Sequence, residues 1–263
     1  MRITFLGSGT SQGVPMIACK CNVCLSSNPK DQRLRSSILI EKGTHTLVID
    51  SGPDFRTQML RANVQHLDAI LLTHAHRDHI AGLDDTRAFI SQSQKAFDIY
   101  AEPIVIKELK QIFAYAFKAK KYPGVPEFVL HKITERENFY VADICVTPIR
   151  GIHYKLPVLG FRIADFTYFT DINAIPDAEF EALKGTRYFV INALRKTPHL
   201  SHYSLNEALE VIRRVQPEYA FLTHISHQMG LHDEVQKQLP EHVFLAYDGL
   251  TIDICYNNGK QYC

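Results

Sequence analysis

The sequence predicts a layered α/β fold whose sheets mix hairpins with parallel strands. Three observations predict it. Short runs rich in β-branched and apolar residues recur along the whole chain, helical patterns lie between them, and one of those helices carries its own start signal. Residues 2–6 alternate into an apolar strand that stops at Gly7-Ser8-Gly9-Thr10-Ser11-Gln12-Gly13-Val14-Pro15, a loop whose glycines permit close backbone approach. The loop lacks the lysine and the following helix of a nucleotide-binding loop. Strands are expected at 37–41, 46–50 and 69–73, the last apolar throughout, and helices at 55–62, 82–91 and 104–117. Residues 118–126 read as an irregular excursion, in which Lys118, Lys120 and Lys121 fit a substrate lid and a solvated helix end equally well. In the second half strands are expected at 144–149, 160–164, 166–170, 188–191 and 219–223, with a helix at 177–183. The helix at 204–215 is the best marked. Ser204 serves as N-cap with Glu207 three residues on, and Leu205, Ala208, Leu209, Ile212 and Val215 trace an apolar stripe.

A chain of 263 residues that is 46% hydrophobic can bury a full core, and residues 1–263 are expected to form a single domain. Lys and Arg number 29 against 28 Asp and Glu, so no overall field draws the protein to nucleic acid or to a membrane, and neither is an expected partner. An anionic substrate must be held by local charge. Met1 to Gly7 lack a signal-peptide pattern and no apolar run has membrane-spanning length, which makes the cytoplasm the expected location. The six cysteines need not form a disulfide framework at this length; reduced thiols or metal ligands are expected.

Four potential ligands, His74, His76, Asp78 and His79, fall within six residues directly after the apolar strand that ends at Thr73. A buried strand end is a rigid platform, and the alternation of an extended chain sends His74 and His76 to the same side. The turn beyond can present Asp78 and His79 to a second position. Imidazole mixed with carboxylate suits a divalent transition metal.

Thr73-His74-Ala75-His76-Arg77-Asp78-His79-Ile80-Ala81-Gly82 resembles the signature of the metallo-β-lactamase superfamily, and the resemblance extends over most of the chain. It implies a four-layer αββα sandwich of two mixed β-sheets. The stretch Leu47-Val48-Ile49-Asp50-Ser51-Gly52 resembles the family's strand ending in a buried supporting Asp, although Asp50 alone reads equally as a turn former. His153 matches the third histidine, Asp171 the carboxylate between two metals, and His224 the last ligand. The resemblance thus implies one metal on His74, His76 and His153 and another on Asp78, His79 and His224, with Asp171 between. Two cations about 3.5 to 4 Å apart repel, and a shared carboxylate offsets the repulsion while the pair lowers the pKa of water. Zinc, manganese, iron and nickel all suit these ligands. The diiron oxidoreductase branch carries Glu at the position of His76, and the best-known zinc β-lactamases carry Cys at that of Asp171; neither change is present.

Cys19, Cys21 and Cys24 pack three thiols into six residues, the make-up of a closed structural zinc site with one distant imidazole. His227, three residues beyond His224, is the expected fourth ligand and His232 the alternative. Such a site would staple the 19–24 loop to the loop carrying His224. Cys145 and Cys255 read as core or strand residues and Cys263 as a terminal thiol. Together with the metal motif, the cysteine cluster resembles the PhnP-type phosphodiesterases, which act on phosphoribosyl cyclic phosphate. That resemblance implies hydrolysis of a small or cyclic phosphodiester, with Asp78 and Asp171 in the catalytic set. His202, or its competitor His199, would protonate the leaving oxygen or bind a phosphate oxygen. A homodimer is implied by the same likeness. The alternatives are a transfer-RNA-processing ribonuclease, a thioesterase or lactonase, and a non-catalytic metal-bound carrier such as the pyrroloquinoline quinone biosynthesis protein B.

Overall fold

A computed structural model describes residues 1–254. The first half runs β1 (Arg2–Gly7), β2 (Ser37–Lys42), β3 (His45–Ile49), α1 (Phe55–Arg61), β4 (Ala69–Leu71), α2 (Arg77–Ile80), α3 (Arg87–Ser93), β5 (Phe97–Ala101), α4 (Pro103–Ile112) and β6 (Phe128–Lys132). The second runs β7 (Phe139–Val141), β8 (Ile144–His153), β9 (Leu156–Ile163), β10 (Phe166–Tyr168), α5 (Phe180–Leu183), β11 (Tyr188–Asn192), α6 (Leu205–Val215), β12 (Tyr219–Thr223), α7 (His232–Gln236), β13 (Val243–Leu245) and β14 (Thr251–Asp253). Among the described residues they form two seven-stranded sheets, ordered β14-β1-β2-β3-β4-β5-β6 and β13-β12-β11-β10-β9-β8-β7. Both are mixed: β1 to β3 pair antiparallel and β3 to β6 parallel, while β8 to β10 pair antiparallel and β10 to β13 parallel.

Strand alternation explains the layers. Ile38, Ile40, Leu47 and Ile49 point inward and meet Val146, Leu159, Phe161, Phe166 and Tyr168 of the opposite sheet in a shared core. Leu39 and Val48, one residue out of phase, face the other way and pack with Phe55, Met59, Val105 and Leu109 of the first helical layer. On the far side Phe189 and Ile191 pack with Ala208 and Ile212 of α6. The αββα sandwich implied by the sequence motifs is therefore the fold.

Elements were legible to differing degrees. Ser204 caps α6 in a full capping box with Glu207, as the sequence requires. The strand expected at 69–73 ends at Leu71, because Thr73 gives its N–H to the Asp50 carboxylate instead of a neighbouring strand. The helix expected at 104–117 starts at Pro103 and stops at Ile112, continuing as a 3₁₀ turn over Ala114–Phe117. The strands β5, β6, β7, β13 and β14 and the helices α2 and α7 were not expected. Cys145 is buried in β8, as expected of a core or strand residue; Cys255 and Cys263 lie outside the described residues. Lys118, Lys120 and Lys121 lie on an exposed irregular stretch, as expected.

Candidate metal centre

Topology alone brings the ligand candidates together. Asp50 and His74 follow the parallel strands β3 and β4, and Asp171 and His224 follow the parallel strands β10 and β12. Because β9 runs antiparallel to both β8 and β10, His153 at the end of β8 emerges on that same side. The carboxyl ends of strands are where α/β folds place ligands.

The geometry is tight. His79 Nε2 lies 3.0 Å from Asp171 Oδ2 and 3.2 Å from Asp78 Oδ2, and His224 Nδ1 lies 2.9 Å from the same Asp171 oxygen. The other Asp171 oxygen lies 3.8 Å from His202 Nδ1. Ligand atoms of Asp78, His79, Asp171 and His224 form one cluster, and those of His153, Asp171 and His202 another, so Asp171 belongs to both. The rings of His74, His76 and His153 meet at centroid separations of 4.5, 5.8 and 5.2 Å. His202 was assigned a role in proton transfer; it also sits 4.7 Å from His153 and 4.9 Å from His224, ring to ring, within the ligand group itself. His199 stands 5.2 Å behind it.

Four of the imidazoles, His74, His79, His153 and His224, have one nitrogen fixed from outside. His79 Nδ1 donates to Asp50 Oδ2 at 2.7 Å. Thr73 Oγ1 donates to the same carboxylate oxygen at 2.9 Å and so accepts from His74 Nδ1 at 3.0 Å. His153 Nδ1 donates to the Ser201 carbonyl at 2.8 Å, and Thr10 Oγ1 lies 3.2 Å from His224 Nε2. These bonds select the tautomer that turns the other nitrogen toward the cleft. His74 Nε2 and His79 Nε2 are buried there with no hydrogen-bond partner, a state that costs free energy unless a cation accepts their lone pairs. The donor set therefore fits divalent transition metals.

Electrostatics agree. Burial opposes charge at Asp78 and Asp171, yet the imidazoles of His79 beside both and His224 beside Asp171 outweigh it and hold both carboxyls well below the usual range. Burial, reinforced by His224, pushes His202 down to about 3. The backbone is strained where function sits. Asp50, Asp171 and His224 have φ of 62°, 54° and 54°, a left-handed conformation costing roughly 1–2 kcal/mol in a residue with a Cβ. Gly52 shows why the turn after β3 is glycine. A Cβ there would lie 2.0 Å from the Asp78 carbonyl oxygen, since Ser51 and Gly82 pin this turn to α2 through hydrogen bonds to His79 O and from Gly82 N.

The second cluster is also assembled. Cys19, Cys21 and Cys24 gather with His227, whose Nδ1 lies 3.5 Å from Cys19 Sγ and 3.3 Å from Cys21 Sγ. The Cys24 amide, with His227, holds the Cys21 thiol down to about 6, whereas burial raises Cys24 to about 11. Three thiols and one imidazole within bonding reach fit a closed zinc site. His232, the alternative, lies outside that cluster, with its Nδ1 3.1 Å from Arg33 Nη2.

Sequence reasoning missed Thr73, Thr10 and Thr170. A signal existed for two of them: a threonine directly precedes each of His74, Asp171 and His224. Thr73 and Thr170 both bind a carboxylate of the site. The cavity of about 500 Å³ lined by Tyr188, Tyr219, Phe221 and Phe244 lies apart from these imidazoles, and His232 is the one sequence candidate among its lining residues.

Imidazoles and carboxylates gathered at strand ends between two facing sheets make a candidate metal centre. The chain belongs to the β-lactamase superfamily, whose domain matches residues 45–225. Among its relatives, a protein of Porphyromonas gingivalis named Octanoyltransferase is 40% identical over 252 residues, which are 95% of this chain and 51% of that protein. The chain thus spans about half the length of that relative. Ribonuclease Z of Mycobacterium sp. (strain KMS) is 27% identical over 226 residues, 74% of this chain and 79% of that one. A solved structure described as a new diphosphatase from the PhnP family shares 36% identity at a TM-score of 0.90, covering 96% of this chain and 97% of the other.

Proposed function

We propose that this chain is a metal-dependent phosphodiesterase acting on a small, non-polymeric diester. The observation that carries the proposal is Asp171, which turns one carboxylate oxygen to His79 and His224 and the other to His202. Likeness to the PhnP-family diphosphatase supports phosphorus as the reacting centre. Two divalent transition metals, zinc or manganese with iron and nickel as alternatives, would supply charge to balance the phosphoryl oxygens and lower the pKa of water at the site. His74, His76 and His153 would hold one, and Asp78, His79 and His224 the other, with Asp171 shared; a third zinc would sit on Cys19, Cys21, Cys24 and His227.

The chain's own groups do the rest. Asp50 fixes His79 directly and His74 through Thr73, so both rings keep their cleft nitrogens free. His202 stands beside Asp171 with its Nδ1 buried and without a hydrogen-bond partner, and as a neutral imidazole it would offer an N–H hydrogen bond to a phosphate oxygen. A second reading has one observation behind it: the Porphyromonas gingivalis relative is named for octanoyl transfer, and a site of this kind can act on carbonyl carbon. Among the described residues no helix is long and apolar enough to cross a membrane. A cytoplasmic location, a homodimer and one domain over 1–263 belong to the same proposal.

The test is a substrate panel on metal-replete protein: an aryl phosphodiester, a cyclic nucleotide, a cyclic sugar phosphate, a dinucleoside diphosphate, an octanoyl thioester and precursor transfer RNA. Turnover of a phosphodiester, abolished in Asp171→Ala, is expected. Turnover of the thioester alone would replace this reading with the second.

A further inference from the structure

Along one side of the sandwich the two sheets leave a gap. β13 and β14 are edge strands of the two sheets, and both line the cavity of about 500 Å³. Val243 and Leu245 of β13 pack toward the helical layer, so strand alternation turns Phe244 toward the opposite sheet. There β14 offers only three residues, and Phe244 stays 36% exposed. Cross-strand ring pairs pave this wall: Tyr188 stacks with Tyr219 at 5.6 Å and Phe221 with Phe244 at 5.5 Å, centre to centre. Leu250 and Ile252, before and within β14, line the cavity from the first sheet.

Polar groups gather at one end. The Lys30 ammonium lies 4.9 Å from the centre of the Tyr247 ring, and the His232 ring meets the same tyrosine edge-on at 5.6 Å. Arg33 Nη2 can only donate, so His232 Nδ1 accepts from it at 3.1 Å and the proton of the neutral ring sits on Nε2. Among the described residues Lys30 has no carboxylate within ion-pair distance. The acids around it are engaged: Asp31 accepts from the His232 amide, Asp233 from Asn28, and Asp253, also on the cavity wall, pairs with Arg2 at 3.0 Å. The free edge of β13 is closed to a further strand, because Gln236 Nε2 donates to the Val243 carbonyl at 3.0 Å and its Oε1 accepts from the Leu245 amide at 2.8 Å. An apolar wall with a cationic end and a satisfied backbone edge suits a small amphipathic anion rather than an added peptide strand.

We propose that this cavity binds an unbranched aliphatic carboxylate, its head on the Lys30 ammonium and His232 Nε2–H and its chain along the Tyr188, Tyr219, Phe221 and Phe244 rings. Phe221 pairs with Phe244, so from Tyr219 to Phe221 and on from Phe244 to Tyr247 the wall runs roughly 16 Å at about 3.3 Å per residue, which accommodates a chain of about ten carbons. None of the residues assigned to the catalytic metals lines it, and the inference stands apart from the phosphodiesterase reading.

The probes are decanoate, below its micellar concentration, and decyltrimethylammonium, titrated calorimetrically into the full metal-replete chain. Decanoate should bind with one-to-one stoichiometry and at least tenfold more tightly than the cation of equal chain length. Lys30→Glu should weaken decanoate tenfold or more, as loss of a charge-assisted contact requires, while Lys30→Arg stays within about threefold of wild type. Phe244→Ser, at an exposed edge position, should weaken it about fivefold. Asp171→Ala should bind decanoate within about twofold of wild type. Absence of decanoate binding, equal affinity for the two probes, or indifference to Lys30→Glu overturns the site. Loss of decanoate binding in Asp171→Ala also overturns it, by placing the carboxylate on the catalytic metals instead.

Discussion

Asp50→Asn isolates the support beneath the metal centre. The carboxylate is fully buried and accepts three hydrogen bonds: the Thr73 amide at 2.9 Å, the Thr73 hydroxyl at 2.9 Å and His79 Nδ1 at 2.7 Å. Asparagine keeps the volume and tolerates the left-handed φ of 62° at this position, so the backbone does not confound the result. It replaces one accepting oxygen by an NH₂ that must face at least one existing donor. A buried donor left without an acceptor costs about 1–3 kcal/mol, and the loss of a charged acceptor for His79 adds to it, giving about 3 kcal/mol in all. With a urea m-value near 3 kcal/mol/M for a chain of this size, the midpoint should fall by roughly 1 M.

The same change frees two imidazoles at once, since His74 is oriented through Thr73 and His79 directly. Metal affinity at the catalytic cluster should then drop about 10- to 100-fold, the usual effect of removing such a supporting bond. The thiol cluster makes no contact with Asp50 and should keep its zinc. Urea denaturation by circular dichroism and metal competition against a chromophoric chelator measure the two effects. An Asn variant with the wild-type midpoint and full catalytic metal content would refute the relay from Asp50 to both rings.

Other outcomes follow from single contacts. Gly52→Ala drives a Cβ to 2.0 Å from the Asp78 carbonyl, so α2 must shift; activity should collapse and stability fall by about 1–3 kcal/mol, read from turnover and a melt. Cys21→Ser should release the thiol-bound zinc and lower the melting temperature while the catalytic metals stay, and elemental analysis giving equal loss of all metals would contradict two separate clusters. Burial, then the Arg33 guanidinium, push His232 down to about 4 against an ordinary value near 6.5, so the unfolded chain binds the extra proton. The corresponding stability is complete above about pH 6.5 and is lost as pH falls toward 4, by about 2 kcal/mol. In His232→Gln the urea midpoint should lose that part of its slope between pH 7 and 5.

What the sequence discloses is set by where polar residues interrupt apolar runs. Thr73-His74, Tyr168-Phe169-Thr170-Asp171 and Phe221-Leu222-Thr223-His224 each end a hydrophobic strand on a candidate ligand, and that pattern survives without knowledge of the fold. Strands such as β6, with Val129 and Lys132 exposed at a sheet edge, lack a continuous apolar face and stayed hidden. Hidden too was the Thr73 relay, because a hydroxyl that donates to one neighbour and accepts from another leaves no spacing to read.

The glycine-rich loop after β1 shows how a correct reading can lack its object. Its glycines allow close approach, and what approaches is protein. A Cβ on Gly9 would meet the Arg33 side chain at 2.8 Å and the Arg33 carbonyl at 2.9 Å, while Thr10 N bonds Ile225 O and Ile225 N bonds Ser8 O. The loop is thereby sewn to the turn between His224 and His227, the two imidazoles that serve different clusters. Thr10 then reaches His224 at 3.2 Å, and the chain continues from Pro15 into the thiols that surround His227. A zinc held by those thiols would fix the far end of a lever whose near end orients His224. Loss of that zinc should therefore loosen the catalytic cluster on the His224 side before it disturbs His74 or His79, which rest on Asp50 and a different sheet. Hydrogen exchange on Cys21→Ser tests this order: amides of 223–229 should exchange faster than in wild type, while those of 71–74 keep their protection.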